Sequence, residues 1–136
     1  MTEPTTRRQY PTSNRSVARA RSDALTFLNS CGIARENEFA SDLALVVSEL
    51  MANAVTHGRV PGTSGRQVAM SIEKAGSVYR IEVRDTQGDS MPVLGKPGDL
   101  SGEGRGLLLV DSLADKWGVR PERVGKTVWA EKEFNK

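Results

Sequence analysis

A long helical pattern with two polar side chains beside its apolar stripe constrains this chain most. Over residues 36–57 apolar side chains recur every three or four positions, as in a helix with one buried face. The stripe consists of Leu43, Val46, Val47, Leu50 and Ala54. Glu49 and Asn53 both lie to one side of it. A partly buried carboxylate or amide costs free energy unless the fold or a ligand pairs it.

The Glu49–Asn53 pair is a candidate site, although the pattern has low specificity when taken alone. A carboxylate can accept a proton or orient a hydroxyl group, and an amide oxygen is a hard ligand suited to Mg²⁺. Most pairs of this kind are solvated or locally hydrogen-bonded. His57, near the same edge, is expected to be a helix-end or packing residue rather than a catalyst.

The remaining patterns predict two more helices and two pairs of strands. Helical spacing predicts a first helix over about 14–30 and a third that starts near Arg105 and ends at Gly118. Alternation predicts strands in QVAMSIEKAG and SVYRIEVRD around the turn KAGS, and in WGVRP and KTVWAEKEF around the turn ERVG. Residues 1–12 are expected to be a flexible arm, although RRQYP could add a short edge strand, and residues 13–136 to form one domain. The order predicts an α+β fold with an antiparallel or mixed sheet and helices on one face.

Length and composition exclude several classes of protein. The chain has 136 residues and a net charge of +2, which suits one globular domain and indicates no strongly acidic or basic partner. With one cysteine, Cys31, and one histidine, His57, it cannot form an internal disulfide and does not support a Cys/His zinc site. The sequence has no apolar run long enough for a membrane span, and MTEPTTRRQYPTSNRS lacks the apolar core of a secretory signal. A cytoplasmic protein is therefore expected.

Basic residues are concentrated near the N-terminus. Between positions 3 and 23 no acidic residue interrupts a group of arginines: Arg7, Arg8, Arg15, Arg19 and Arg21. The pattern favours a solvated arm and helix face. A patch for an acidic protein or for nucleic acid is the alternative, and direct binding of nucleic acid is the less favoured interpretation.

Asp85 ends the strand YRIEVRD and opens the turn DTQGD. Taken alone, it favours a turn-forming aspartate. The functional alternative is a carboxylate that accepts a hydrogen bond from an exocyclic amine at the end of a strand.

The segment GEGRGLLLV, residues 102–110, places three alternate glycines at the start of a helix. Glycines let a backbone approach an anion closely, and the first N–H groups of a helix have no partner within it, so the segment can cradle a phosphate. Arg105 adds a planar cation. The spacing differs from the dinucleotide fingerprint G-x-G-x-x-G. A Walker motif ending in GKT would require glycine at position 120, which is Arg120.

In their order and spacing, these features resemble one family pattern, the ATP-binding fold of the gyrase and histidine-kinase (GHKL) superfamily. More narrowly, residues 12–133 resemble the single-domain anti-sigma factor serine kinases of actinobacteria. LALVVSELMANAVTHG is similar to the N box, and VRDTQGD stands at the first glycine box. GEGRGLLLVDSLADKWGV is similar to the second box with its helix, and GKTVWAE to the closing strand. The implied fold is a two-layer α/β sandwich of the GHKL (Bergerat) type, with a mixed, largely antiparallel sheet and about three helices on one face.

The resemblance implies a role for each matching residue. Asn53 would coordinate the Mg²⁺ that bridges the phosphates of ATP, and Asp85 would bond the adenine amine. Glu49 would orient or deprotonate the attacking serine hydroxyl. Thr127 would lie near the adenine side of the pocket. The other ATP-binding residues would be Gly88 in the first glycine box and the lid residues Gly102, Gly104, Arg105, Gly106 and Leu107.

The first glycine box departs from the family pattern D-x-G-x-G. Gly88 comes one place late, and Asp89 stands near the expected second glycine. An inward-facing carboxylate at Asp89 would repel phosphate.

The implied function is that of an ATP-binding anti-sigma factor with protein serine kinase activity. It would phosphorylate an anti-sigma factor antagonist of the STAS type and sequester a sigma factor. A nucleotide-gated regulatory binding module without phosphoryl transfer is the alternative, motivated by Gly88 and Asp89. A homodimer is compatible with the resemblance, although the sequence shows no patch that requires one.

Overall fold

A computed structural model of the chain describes residues 3–58, 67–85, 102–123 and 125–135, with only the backbone at 57, 58 and 102–106. The elements in these ranges are β1 (Thr5–Pro11), α1 (Asn14–Ser30), α2 (Glu38–Gly58), β2 (Gln67–Ala75), β3 (Val78–Asp85), α3 (Gly102–Leu113), β4 (Lys116–Pro121) and β5 (Lys126–Glu133). The first helix and both predicted hairpins agree with the sequence prediction.

The strands form one five-stranded sheet in the order β1-β2-β3-β5-β4, and each neighbouring pair is antiparallel. The β2–β3 hairpin turns at Gly76, whose φ of +61° is a backbone conformation that favours glycine. The helices pack on one face, which we name the inner face. The predicted two-layer α+β sandwich is confirmed, and among the described strands the sheet is antiparallel throughout rather than mixed.

The N-terminal segment is an edge strand over Thr5–Pro11, which confirms the alternative predicted for RRQYP and corrects the expected flexible arm over these residues. It pairs with β2 along its whole length. Tyr10 is its buried side chain, and the hydroxyl donates a hydrogen bond to Asp23 of α1. Burial raises the pKa of Tyr10, and the Asp23 carboxylate raises it further. A polar strand with one buried ring has little alternation, so its sequence resembles a solvated arm.

The central helix, α2, packs against α1, α3 and strands β2, β3 and β5. Its buried side chains include the predicted stripe of Leu43, Val46, Val47, Leu50 and Ala54. They meet the apolar residues of the inner face: Val68, Met70, Ile72, Tyr79, Ile81, Val83, Val128 and Ala130. In the described part of the chain, α2 alone is long and apolar enough to cross a membrane, over Glu38–Thr56. However, 56% of its apolar window is buried in the domain, as in the core helix of a soluble protein.

Aromatic contacts fix the position of the N-terminus of α2 over the sheet. The ring centroid of Phe39 lies 5.5 Å from that of Tyr79 and 5.1 Å from that of Phe134. Tyr79 lies at the start of β3, and Phe134 follows the end of β5, so these rings meet at one end of the sheet. Burial and the neighbouring Cys31 raise the pKa of Tyr79 to about 12. We name this end, with Phe39, Tyr79, Phe134 and Cys31, the aromatic end.

The C-terminus of α3 is fixed at the aromatic end as well. The ammonium group of Lys132, near the end of β5, donates a hydrogen bond of 2.6 Å to the carbonyl of Leu113, the last residue of α3. A cation at this position is favourable because the C-terminus of a helix carries partial negative charge. The Trp117 indole donates a 2.8 Å hydrogen bond to Asp111 and ties α3 to β4. The helix therefore extends from the aromatic end toward the opposite end of the sandwich.

Candidate functional site

Asn53 and Asp85 lie at the same end of the sandwich, opposite the aromatic end. The helix rises about 21 Å from Phe39 to Asn53, at 1.5 Å per residue. The strand advances about 20 Å from Tyr79 to Asp85, at 3.3 Å per residue. Phe39 and Tyr79 are in contact, and α2 packs against β3. Asn53 and Asp85 therefore lie at nearly the same distance from the aromatic end. We infer from these lengths that Asn53 and Asp85, two of the predicted site residues, lie toward the same end of the fold.

The first turn of α3 points toward this end. The helix begins at Gly102, three residues before the start predicted near Arg105, so Gly104 and Gly106 lie inside it. From Leu113 to Gly102 it rises about 16 Å, which covers most of the distance along the sheet. Its first N–H groups have no partner within the helix and can bind a phosphate. The predicted cradle of three glycines and a helix N-terminus stays a prediction, and the three glycines lie within α3.

The other predicted lid residues are only partly described. Leu107 is half-buried and packs against the core, as expected for a residue one turn into an amphipathic helix. Of Arg105 the structure describes the backbone, which lies in α3. Gly88 and the rest of the first glycine box lie outside the described residues, and its role stays a prediction.

Lys126 is a component of this end that sequence reasoning missed. It is the first residue of β5 and lies directly opposite Asp85 in the antiparallel ladder. Both side chains face the helices, because they alternate with Val83 and Val128 along the buried faces of their strands. Both are 2% exposed. The alternation with Val128 and Ala130 could have revealed Lys126 as an inward-facing residue.

Asp85 and Lys126 occupy directly opposite, buried positions on the inner face of the sheet. Residues directly opposite in an antiparallel pair have Cβ atoms about 4.5–5.5 Å apart. Charged side chains are rarely buried to this extent, so both positions are conspicuous in this part of the fold. We name the group formed by Asn53, Asp85, Lys126 and the first turn of α3 the polar end.

Thr127 lies on the other side of the sheet, which corrects its predicted place near the adenine. It is opposite Arg84, so its side chain points away from the helices, whereas that of Asp85 points toward them. Its hydroxyl donates a 2.9 Å hydrogen bond to Glu122. With Arg7 and Arg120 it lines an outer depression of about 190 Å³. Strand parity therefore excludes the Thr127 side chain from the polar end.

Glu49 is half-buried and lies one helical turn before Asn53, at the margin of the buried stripe. Its side chain lines a groove of about 580 Å³ between α1 and α2. Arg21 and Arg35 lie on the same groove, together with apolar residues such as Leu25. Glu49 is thus accessible from the helical side of the domain, next to the polar end.

The outer face of the sheet carries a charge network that is separate from the polar end. Arg80 donates hydrogen bonds of 2.8 Å to both Glu82 and Glu131, and Arg120 bonds Glu82 at 3.2 Å and Glu122 at 2.9 Å. Burial acts to raise the pKa of Glu82, but the hydrogen bonds from the arginines outweigh it and hold that pKa below its usual range. The hydrogen bond from Arg120 likewise lowers the pKa of Glu122.

A comparison with protein families assigns most of the chain to a known family. Residues 10–132 match the family described as the histidine kinase-like ATPase domain. The chain belongs to this family. The matched stretch contains every residue of the polar end, and membership of an ATPase-domain family implies that the chain binds ATP.

A solved structure with the same fold supports this assignment. The chain is similar to the RsbU and RsbW domains of Rv1364c from Mycobacterium tuberculosis, with a TM-score of 0.67 and 17% sequence identity. The similarity covers 96% of this chain and 32% of the solved chain, so this chain spans about a third of that length. At this identity the likeness establishes the fold. Comparison with curated proteins found no significant match.

The chemistry of the polar end fits a nucleoside triphosphate. A helix N-terminus suits phosphate oxygens, a carboxylate suits an exocyclic amine, and an amide oxygen suits a divalent cation. Within the described ranges, three or more His, Cys, Asp or Glu side chains nowhere come together as a metal cluster.

Proposed function

We propose that this histidine kinase-like ATPase domain is an anti-sigma factor of the serine-kinase type. It binds Mg-ATP at the polar end, phosphorylates a serine of an anti-sigma factor antagonist of the STAS type, and sequesters a sigma factor. The observation that carries the proposal is the convergence of Asn53, Asp85 and the first turn of α3 at one end of the sandwich. The fold shared with a solved chain that contains an RsbW domain supports it.

The residues of the polar end have distinct tasks in this proposal. Asp85 accepts a hydrogen bond from the exocyclic amine of the base, and the first N–H groups of α3 bind phosphate oxygens. The amide oxygen of Asn53 ligates Mg²⁺, which neutralises phosphate charge when bound. Phosphoryl transfer depends mainly on positioning and charge neutralisation, so this small set of groups is sufficient.

Glu49 acts on the substrate hydroxyl in this proposal. It accepts the serine proton while the serine oxygen bonds to the γ-phosphorus and the bond from that phosphorus to the ADP oxygen breaks. Glu49 lies about 6 Å along the helix axis from Asn53. The α1–α2 groove that it lines gives a protein substrate access to the carboxylate.

A nucleotide-gated binding module without phosphoryl transfer is the second candidate. The favouring observation is the buried Lys126 directly opposite Asp85, because a cation at this position would compete with the base for the carboxylate. In such a module, nucleotide binding would change affinity for a client protein without forming a phosphoserine.

The proposal extends to location and partners. A cytoplasmic location would place the protein with its sigma factor and antagonist. The exposed α1 residues Arg15, Arg19 and Arg21 would face an acidic protein surface rather than nucleic acid. A homodimer is compatible with this arrangement, and no membrane partner is proposed.

Calorimetric titration with Mg-ATP tests the nucleotide site. Asn53→Ala should weaken binding at least about 10-fold, because a bond to a charged group contributes about 1.5–3 kcal/mol. Thr56→Ala, an exposed position on the same helix, is the matched control and should bind like the wild type. Equal affinity in the wild type and Asn53→Ala would remove Asn53 from the site.

Transfer is tested by incubating the protein with Mg-ATP and purified STAS-type antagonists. Labelled phosphoserine should form in a cognate antagonist and should fall strongly in Glu49→Ala, with Asp42→Ala on the same helix as the control. Nucleotide binding without labelled product across several antagonists favours the binding module. Unchanged transfer by Glu49→Ala would show that another group accepts the proton.

A further inference from the structure

The groove between α1 and α2 has a direction, because its charged residues lie at different places along it. The two helices pack together and are joined by residues 31–37, and helices with so short a connection are antiparallel neighbours. Arg35 lies in this connection and donates a 3.1 Å hydrogen bond to Thr26 of α1. Glu49 lies on α2, well past its start at Glu38. The groove therefore extends from a carboxylate toward one end to a guanidinium at the other.

The charges of the groove are not compensated within it. Among the residues that the structure describes, Arg21, Arg35 and Glu49 form no salt bridge, and the hydrogen-bond partner of Arg35 is a neutral hydroxyl. Both arginines are exposed, and Glu49 is half-buried. Two cations can thus bind an anionic group of a ligand, whereas the Glu49 carboxylate would repel such a group from its own end.

Apolar side chains line the groove beside these charges. They are Val17 and Leu25 of α1 and Leu45 of α2, and all three are half-buried. The part of α1 that lines the groove, from Asn14 to Leu25, rises about 16 Å. An extended peptide covers this length in about five residues, at about 3.3 Å each. The groove therefore suits a short extended segment with an apolar side chain.

The proposed function identifies the segment that would lie there. Glu49 acts on the serine hydroxyl in that proposal, so the rest of the groove meets the residues next to the serine. An apolar residue beside the serine would contact Leu25 and Leu45. A carboxylate farther along would reach the arginines, and a guanidinium can bind a carboxylate through two parallel N–H groups.

On these grounds we infer that the groove selects which serine is phosphorylated. The preferred substrate segment has an apolar residue beside the serine and an acidic residue within about five residues of it. Arg21 and Arg35 are the residues that determine this specificity. The inference rests on the proposed kinase function and adds a substrate class to it.

Fluorescence anisotropy of short labelled peptides with the full chain tests the inference. One acidic probe has a serine, a leucine beside it and two glutamates within about five residues, and a second acidic probe has the reversed order. The basic probes have lysines in place of the glutamates. For at least one order, the acidic probe should bind the wild type at least about 10-fold more tightly than its basic counterpart. This is the size expected for one hydrogen bond between charged groups.

Substitution of the arginines tests the source of this preference. Arg21→Gln and Arg35→Gln should each reduce the ratio of the two affinities by about 3- to 10-fold, because each removes one of the two cations. Arg123→Gln removes the same charge at an exposed residue between β4 and β5. It is the matched control and should keep the wild-type ratio.

Several results would overturn the inference. They are equal affinities for the acidic and basic probes, no measurable binding of either acidic probe, and an unchanged ratio in both variants. Displacement of the acidic probe by inorganic phosphate at constant ionic strength would show that the arginines bind any small anion. An affinity that weakens as the protein concentration rises would show that a second copy of the chain covers the groove. The comparison in the wild type needs no variant, so it decides the matter even if a variant does not fold.

A failure of the proposed function gives a different result. Incubation of the same probes and of STAS-type antagonists with Mg-ATP measures transfer directly. If the acidic probe binds with the expected preference but no phosphoserine forms in any of them, the kinase function fails. The role of the groove in selecting the serine then fails with it, although its preference for acidic segments stands. If an antagonist is phosphorylated but the probes bind equally, only the inference fails.

Discussion

The aromatic end and the polar end are built from the same helix and strands, yet their chemistry differs. At the aromatic end, Phe39 of α2 packs against rings from β3 and the end of β5. About 20 Å along the same strands, the facing side chains are Asp85 and Lys126. Apolar contacts thus fix the sandwich at one end and charged groups face each other at the other. We infer that the two ends contribute to stability through different interactions, and the following changes test that difference in order of expected effect.

Phe39→Ala should have the largest effect on stability. The substitution removes a ring that contacts two others and is 8% exposed, so it should lower the free energy of unfolding by about 3–5 kcal/mol. Urea denaturation measures this change. Leu108→Ala, at a residue that is 56% exposed, is the control and should change stability by less than about 0.5 kcal/mol. A loss below about 1 kcal/mol for Phe39→Ala would show that the aromatic end is not what fixes the sandwich.

Asp85→Asn should come next, because it removes a buried negative charge at the position directly opposite the buried Lys126. We expect a loss of about 3 kcal/mol, at the lower end of the range for breaking a buried charge pair. The double variant Asp85→Asn/Lys126→Met should recover most of this loss in the same denaturation experiment. If Asp85→Asn costs as much in the Lys126→Met background as alone, the two charges do not compensate each other.

Gly118→Ala should lower the free energy of unfolding by an intermediate amount. The residue lies in β4 and is part of neither the aromatic end nor the polar end. Gly118 faces Trp129 across the β4–β5 pair, and an added Cβ would lie 2.8 Å from the Trp129 ring. The ring cannot move freely, since the Arg80 guanidinium lies 4.4 Å from its centroid. Overpacking of this kind costs about 1–3 kcal/mol. The cost should shrink when Trp129 is replaced by leucine, and an unchanged cost would point to backbone strain instead.

The pH dependence of stability should show the smallest effect. The pKa of Glu82 is lower in the folded protein, so its stabilisation is complete above the ordinary glutamate pKa and is lost as pH falls through the folded pKa. Glu82→Gln should therefore cost about 1 kcal/mol or less at pH 7 and less than that near pH 3. Denaturation at the two pH values measures this, with Glu73→Gln, an exposed residue on β2, as the control. An equal cost at both pH values would mean that charge is not the cause.

Local patterns predicted the elements of the fold because each element carries its own periodicity. The bounds of α1 and the two hairpins follow from helical spacing and strand alternation with turn residues between them. The edge strand β1 was expected to be an arm because it buries only Tyr10 among its polar residues. Its pairing depends on β2, which lies far away in sequence, and no local pattern records that contact.

Contacts between segments that are distant in sequence also limit what the sequence predicts about the candidate site. Asn53 and Asp85 could be chosen because a polar residue beside an apolar pattern is conspicuous. Thr127 was predicted from the family resemblance alone, and the segment KTVWA does not alternate clearly in the structure, since four of its five residues are buried. Which of two adjacent residues faces the helices is decided by the register with β3, which places Lys126 and not Thr127 opposite Asp85. Sequence reasoning therefore located the strand but chose the wrong face of it.

Because α2 and β3 extend over similar lengths from the aromatic end, the number of residues in the helix determines where Asn53 lies at the polar end. One residue inserted between Phe39 and Asn53 would advance the amide by about 1.5 Å and rotate it by about 100° around the helix axis. The rotation matters far more than the advance, since it would turn the amide away from the ligand while the aromatic contacts stayed in place. We therefore expect that the types of the residues between Phe39 and Asn53 can change, whereas their number cannot.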